Sequence, residues 1–308
     1  ESVWLGWFFY ATVKKFLPLC LLMKDQDRYD QLNGLAEIVR SQIEKNAWDG
    51  RWYLRGFFDN GSALGSHVNE ECQIDSISQS WSVISGGGDP ARTMQALDSA
   101  KHYLVHQSEG VIQLLTPPFN KSLPDPGYIK GYFPGIRENG GQYTHAALWL
   151  AIANAKAGRS RDAYEFVDML NPILSTSTIK DVARYEKEPY VMSADVYMGE
   201  QFTGKAGWSW YTGSAGWMYQ CLLHSQLGIS VQGDKLYITP ALPALYQTWE
   251  IDYHYELTLY RIKVENDSGQ GVSIHSITVD GVPEMGGSIL LHNDQRTHNV
   301  LVIMSPDN

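Results

Sequence analysis

Apolar positions recur with a helical period in seven stretches of the chain, residues 4–22, 29–47, 74–84, 90–106, 142–157, 162–170 and 213–227. Gly158-Arg159-Ser160 is short enough for a tight helix-to-helix turn, whereas residues 48–72, 109–141 and 175–211 form long connections rich in Gly, Pro and aromatics. Ordered connections of that length usually carry function. Helix hairpins with their long connections on one side predict an α/α toroid whose cleft is ringed by helix ends. Beyond Leu227-Gly228 the period changes to two. Trp249, Ile251, Tyr253, Tyr255, Leu257 and Leu259 alternate with Glu250, Asp252, His254, Glu256 and Thr258, which predicts a half-buried strand over 249–259. Residues 235–239, 271–280 and 297–304 are further strands, with a turn at Asp280-Gly281. The predicted fold is mainly α with a C-terminal β domain: a helical domain over 1–227 and a small β-sandwich over 228–308.

Composition narrows the class. With 44% hydrophobic and 19% charged residues the chain has too much buriable surface for disorder, and 308 residues suit one large or two ordinary domains. Nine of the ten Trp precede residue 218, in keeping with two halves of different construction. A net charge of −10, a pI near 5.3 and no basic run longer than a pair exclude nucleic acid as an expected partner. Cys20, Cys72 and Cys221 show neither CxxC spacing nor an even framework, which fits a reducing, cytoplasmic compartment. The apolar opening is interrupted by Lys14-Lys15 and Pro18 before the ~20 residues that a membrane span needs, and reads as a buried helix. Starting at Glu1 inside a periodic segment, the chain reads as a fragment.

Three segments concentrate candidate chemistry. Residues 127–145, Gly-Tyr-Ile-Lys-Gly-Tyr-Phe-Pro-Gly-Ile-Arg-Glu-Asn-Gly-Gly-Gln-Tyr-Thr-His, set Lys130, Arg137, Glu138 and His145 among five glycines and four aromatics, directly before a helix. Sugar sites combine aromatic faces for the apolar side of a pyranose with charged forks for its hydroxyls; a solvated loop with a helix cap is an equally good reading of the run alone. Residues 210–217, Trp-Tyr-Thr-Gly-Ser-Ala-Gly-Trp, open an apolar helix with Thr212 as the natural N-cap, and free N–H groups beside Gly213 can hold an anion or simply be capped. His145, in the first turn of its own helix, is a structural histidine or a donor to the same anion. Glu70, Glu71 and Asp75 stand at a loop-to-helix junction, as an acid and base or as helix caps. A metal site is not expected, although His102 and His106 stand four positions apart, and no GxSxG, phosphate-binding GxxxxGK(S/T) or dinucleotide-binding GxGxxG pattern occurs.

Four motifs in register, at 48–55, 72–81, 131–145 and 210–219, resemble glycoside hydrolase family 94, the inverting disaccharide phosphorylases, over nearly the whole chain. The opening Glu-Ser-Val-Trp-Leu-Gly-Trp and the Val279-Asp-Gly-Val-Pro283 ending are most similar to β-1,2-oligoglucan phosphorylases and the phosphorylase region of cyclic β-1,2-glucan synthases. The resemblance implies the second part of an (α/α)6 barrel plus a C-terminal β domain. It also implies a general acid Asp, and completing arginines, in a missing N-terminal half upstream of Glu1.

Within this chain the resemblance makes Glu138 a ligand of the donor-glucose hydroxyls and makes Arg137, Tyr132 and Tyr128 substrate contacts on the acceptor side. Tyr128 stands where cello-type enzymes place an acidic contact, which argues against cellobiose. His145, Thr212 and Gly213 become phosphate ligands. No cofactor is implied, and inorganic phosphate is a co-substrate. The expected partners are a β-glucooligosaccharide, phosphate or glucose 1-phosphate, and the N-terminal half; a homodimer stays open, as does a membrane-bound parent protein. An inverting hydrolase requires an acid and a base about 6.5–9.5 Å apart with water between them. Phosphate is nucleophilic without a carboxylate base, and a carboxylate at its position would repel it. The expected function is inverting phosphorolysis to α-glucose 1-phosphate, with this fragment inactive alone. The alternatives are an inverting α/α-barrel hydrolase using Asp75 or Glu71 as base, and a non-catalytic carbohydrate-binding module.

Overall fold

A row of three apolar helices organises the first part of the chain. In this computed structural model, which describes residues 1–199, 201–243, 245–266, 273–285 and 287–305, α3 (Ser76–Ile84) lies between α1 (Val3–Leu22) and α5 (Thr144–Lys156). The more polar α2 (Gln26–Asn46) packs on α1, and α4 (Pro90–Leu104) packs on α3. Ten of the thirteen residues of α5 are buried, from Thr144 to Asn154, as befits a helix apolar all round. In α3 the hydroxyls of Ser80 and Ser82 turn back to carbonyls of their own helix at 2.8 and 2.7 Å, which lets a serine-rich helix be buried. α6 (Ser160–Leu170), α7 (Ile179–Tyr185) and α8 (Thr212–Gln220) follow, and α8 continues as a π-helical turn, Cys221–Gln226.

The structure differs from the sequence pattern at several helices: α3 starts at Ser76 because Ile74–Asp75 is a short strand paired antiparallel with Leu115–Thr116, α4 ends at Leu104, and α7 lies inside the connection expected over 175–211. α1 is long and apolar enough to cross a membrane by length and composition, and it runs unbroken through Pro18. Val3, Trp7, Tyr10, Val13, Leu17 and Cys20 make its buried face, whereas Leu5, Phe8, Phe16, Leu19 and Leu22 are exposed, so it is buried on one side only. The period over 142–157 overreaches by two residues. Gln142–Tyr143 is a short strand paired antiparallel with Asp195–Val196, and the helix starts at Thr144.

The chain divides into two compact units, Glu1–Ala157 with Glu165–Trp217, and Gly158–Tyr164 with Met218–Asn308. This division falls before Gly228, where the period changes, because Gln226 Nε2 donates to the Ala163 carbonyl and the Tyr164 and Tyr246 hydroxyls meet at 3.1 Å.

The second unit holds β1 (Ile229–Gln232), β2 (Lys235–Ile238), β3 (Thr248–Tyr255), β4 (Thr258–Glu265), β5 (Ser273–Val279), β6 (Val282–Pro283), β7 (Ser288–Leu290) and β8 (Thr297–Ser305). One sheet has the order β7-β2-β1 and the other β3-β4-β8-β5-β6, with β4 and β8 parallel and the remaining neighbours antiparallel. Inward residues of both sheets, among them Leu236, Ile238, Tyr260, Ile262, Ile289 and Val302, form one buried cluster. The single strand expected over 249–259 is a hairpin. Glu256 takes a left-handed φ of 51° and turns β3 into β4, with Ile251 opposite Ile262. The alternation continues across the turn, so period alone did not reveal it. Asp280 and Gly281, with φ of 51° and 80°, make the expected tight turn. Gly271 and Val272 of the strand expected over 271–280 lie outside the described residues.

Candidate active site

The site is assembled by a small ladder of backbone hydrogen bonds. Tyr143 pairs with Asp195 and Gln142 with Val196, and residues 194–197 pair on their other edge with 205–208: the Ala194 N–H donates to the Trp208 carbonyl at 2.6 Å and the Gly207 N–H to the Asp195 carbonyl at 2.9 Å. The first N–H of α5, on Thr144, donates to Ala194 at 2.9 Å. Two segments of the connection over 175–211 are thereby fixed at the start of α5.

The loop carrying Arg137 and Glu138 is held by Asn139, which is fully buried. Its amide donates to the carbonyls of Phe119 and Tyr132, both at 2.8 Å, and its oxygen accepts from the Phe119 N–H at 2.6 Å. Arg137 has a left-handed φ of 52°, a conformation costing a non-glycine residue about 1–3 kcal/mol. Its guanidinium carbon lies 4.1 Å from the Trp208 ring centre and 5.4 Å from that of Tyr132. Arg137 Nε and Glu138 Oε2 form an ion pair at 3.6 Å, too long for a hydrogen bond, and both are buried without a hydrogen-bond partner. Tyr128 is 77% exposed and meets Tyr132 edge-on. Lys130 is not part of this group: its ammonium donates to the Ser122 carbonyl at 3.1 Å.

His145 occupies the first turn of α5, stacked on Tyr143 and packed against Trp149 and Trp217 with ring centres 4.5 and 5.6 Å away. Burial is the cause that lowers its pKa, so the ring is neutral at pH 7, and its Nε2 is buried without a partner. A Cβ placed on Gly213 would lie 3.6 Å from His145 Nδ1, so the ring faces the start of α8, with Gly213 N within about 6 Å of Nδ1 by backbone geometry. Thr212 is not the cap. Tyr211 holds that position, its carbonyl accepting from the Ala215 N–H at 3.1 Å, and Thr212 is the first helical residue. The Tyr211 and Tyr143 hydroxyls meet at 3.2 Å, which ties the two helix starts together. Burial, then the Tyr211 hydroxyl, raises the Tyr143 pKa.

The acidic pair at the loop-to-helix junction has other work. Asp75, 1% exposed, caps α3 by accepting from the Ile77 N–H at 2.8 Å and is ion-paired with Arg55. Glu71 accepts from the N–H groups of Asn120, Lys121 and Ser122 at 2.9 Å and from the Ser122 hydroxyl. Although burial works against its charge, these bonds hold its pKa down to about 2. Neither is poised as a base.

Sequence reasoning missed Asp195, Trp208, Tyr143 and Tyr211. Trp208 and Asp195 sit in an aperiodic connection and reach the site only through the ladder; the aromatic density of 208–211 was the available signal.

Residues 1–228 match the family model of the glycosyl hydrolase 94 superfamily, catalytic domain. The cyclic beta-(1,2)-glucan synthase of Rhizobium meliloti is 43% identical over 90% of this chain and 10% of its own length. The N,N'-diacetylchitobiose phosphorylase of Vibrio furnissii is 30% identical over 91% of this chain and 35% of its own, and the 1,2-beta-oligoglucan phosphorylase of Listeria innocua is 29% identical over 87% and 26%. The chain thus spans about a tenth to a third of these relatives. Among solved structures, a sialidase 11% identical superposes with a TM-score of 0.53 over 82% of this chain and 22% of its own, a likeness of fold alone. With its catalytic-domain match over residues 1–228, the chain belongs to the glycosyl hydrolase 94 superfamily.

Proposed function

We propose that this chain is part of an inverting phosphorylase that cleaves β-linked glucooligosaccharides, with the β-1,2 linkage as substrate, to α-glucose 1-phosphate and a shortened sugar. The observation that carries the reading is the meeting of His145 with the N-terminus of α8 at Gly213, in a site where Arg137 Nε and Glu138 Oε2 have no hydrogen-bond partner. A phosphate seated there receives hydrogen bonds from the neutral imidazole and from backbone N–H groups that α8 leaves free. Glu138 accepts hydroxyls of the glucose to be transferred, Arg137 over Tyr132 and Trp208 meets the acceptor sugar, and Tyr128 offers an exposed ring for the sugar beyond. Attack by phosphate on the face opposite the leaving oxygen inverts the anomeric centre.

In this reading residues of the helical unit belong to an (α/α)6 barrel, the two-sheet unit is a β-sandwich, and the proton donor to the leaving oxygen lies outside these 308 residues. Commitment of Asp75 and Glu71 to a cap and a loop clamp removes the carboxylates that a hydrolytic reading would use as base. The test is phosphate dependence. The complete protein, given β-1,2-glucooligosaccharides, should release glucose 1-phosphate as the α-anomer, and only with phosphate present. Equal release of free glucose in phosphate-free buffer would replace this reading with hydrolysis.

A further inference from the structure

Asp195 has no place in the assignments above, yet it is the most buried charged group at the site. It is 1% exposed; its Oδ1 accepts from the Trp208 N–H at 3.3 Å, and its Oδ2 has no hydrogen-bond partner. A Cβ on residue 207 would lie 2.2 Å from Oδ1, so only Gly207 lets the 206–208 segment close over the carboxylate. That closure sets the Trp208 ring beneath the Arg137 guanidinium. Two carboxylates, Asp195 and Glu138, attract the one cation. Glu138, the sequence neighbour, forms a loose ion pair with it, 3.6 Å from Arg137 Nε, longer than the about 2.8 Å of a charge-assisted hydrogen bond. Burial disfavours the Arg137 charge, and the attraction of Asp195 first and Glu138 second outweighs it.

We propose that Asp195 is a positioning residue: its buried carboxylate, acting through the Trp208 backbone and by attraction on the guanidinium, keeps Arg137 on the Trp208 ring and short of a hydrogen bond to Glu138, so that Glu138 Oε2 stays open to sugar hydroxyls. The inference rests on the sugar role proposed for Glu138. A Glu138 locked in a hydrogen-bonded ion pair would have to break it before binding each donor glucose, so Asp195 governs donor use without touching the sugar.

The experiment is a cycle of Asp195→Asn and Arg137→Gln in the complete protein. Asparagine keeps the shape and can still accept from the Trp208 N–H. In crystals of Asp195→Asn, Arg137 Nε and Glu138 Oε2 should close to hydrogen-bond distance, about 2.9 Å. In the synthetic direction, kcat/KM for α-glucose 1-phosphate should fall about tenfold, mainly through KM, an effect of the size of one charge-assisted hydrogen bond. In the Arg137→Gln background the same substitution should cost less than about twofold, since no cation remains to capture Glu138. An unchanged gap, or an equal loss in both backgrounds, overturns the proposal. Should Asp195→Asn not fold, the double variant should regain melting temperature relative to it, and a double variant no more stable overturns the proposal as well. If the unaltered complete protein makes no glucose 1-phosphate, the functional reading fails, while the Arg137–Glu138 distance in Asp195→Asn still decides the positioning claim.

Discussion

The two units differ in how completely they satisfy themselves. Among the described residues, every buried side-chain polar atom without a hydrogen-bond partner lies in the helical unit, including Arg137 Nε, Glu138 Oε2, His145 Nε2, Asp195 Oδ2 and Ser214 Oγ. In the β unit the comparable buried groups are paired: the Tyr260 hydroxyl accepts from the His292 N–H at 2.7 Å, and the Thr258 hydroxyl accepts from the Gln295 N–H at 2.8 Å. Orphaned buried polar groups are costly, and a native fold retains them where water, an ion, a ligand or a functional role accounts for them. The helical unit is built around demands it does not meet itself, and the β unit is built as an apolar core between sheets.

That contrast can be broken from either side. The largest effect should come from the β unit: Ile262→Ala, at a fully buried position between Ile251 and Val300, should cost about 2–5 kcal/mol in denaturant unfolding. A smaller loss would mean that the two-sheet core is loosely packed. In the helical unit, Glu138→Gln in the complete protein should lower kcat/KM about 10–100-fold while the melting temperature barely moves, because the carboxylate's charge-assisted bonds go to substrate rather than to the fold. A large fall in melting temperature would make Glu138 a structural group and erase the contrast.

His145→Ala should raise KM for phosphate about tenfold, and more than KM for the oligosaccharide. Gly213→Ala should do the same by placing a methyl 3.6 Å from His145 Nδ1, in the space assigned to the anion. Equal changes in both KM values would remove the phosphate role. Because burial lowers the His145 pKa, the unfolded chain binds the proton more readily; stability therefore falls as pH drops below about 6.5, and His145→Ala should flatten that slope.

The smallest effect belongs to a group that is already satisfied. Glu71→Gln should lower the melting temperature modestly at pH 7. Its folded pKa of about 2 lies below the ordinary 4.5, so the carboxylate stabilises fully above pH 4.5 and progressively less as pH falls toward 2. The gap between Glu71→Gln and the unaltered protein should narrow over that window, and a gap constant with pH would show that the charge is not what holds residues 120–122.

Several site features were legible because they are local. The Gly-rich run through Arg137 and Glu138, His145 in the first turn of α5 and Gly213 in the first turn of α8 follow from composition and helical period. Their surroundings were not. Thr212 reads as a cap because threonine often caps, yet it is the first helical residue and the cap is Tyr211, whose hydroxyl is tied to Tyr143. Asp75 and Glu71 read as an open choice between chemistry and capping until Arg55 and the backbone of residues 120–122, distant in sequence, were found against them.

By itself the sequence determined where the longer helices run to within a few residues, where the period shortens to two, and which loops gather charge among glycines and aromatics, since each of these depends on residues a few positions apart. Only the tertiary structure decided which of those groups are spent and which are free. It brought Asp195 beside Tyr143, set Trp208 under Arg137 and turned His145 toward Gly213. The reason is physical: an ion pair or an orphaned oxygen is created by ladders and packing that join residues far apart in the chain, and neither propensity nor period carries that information.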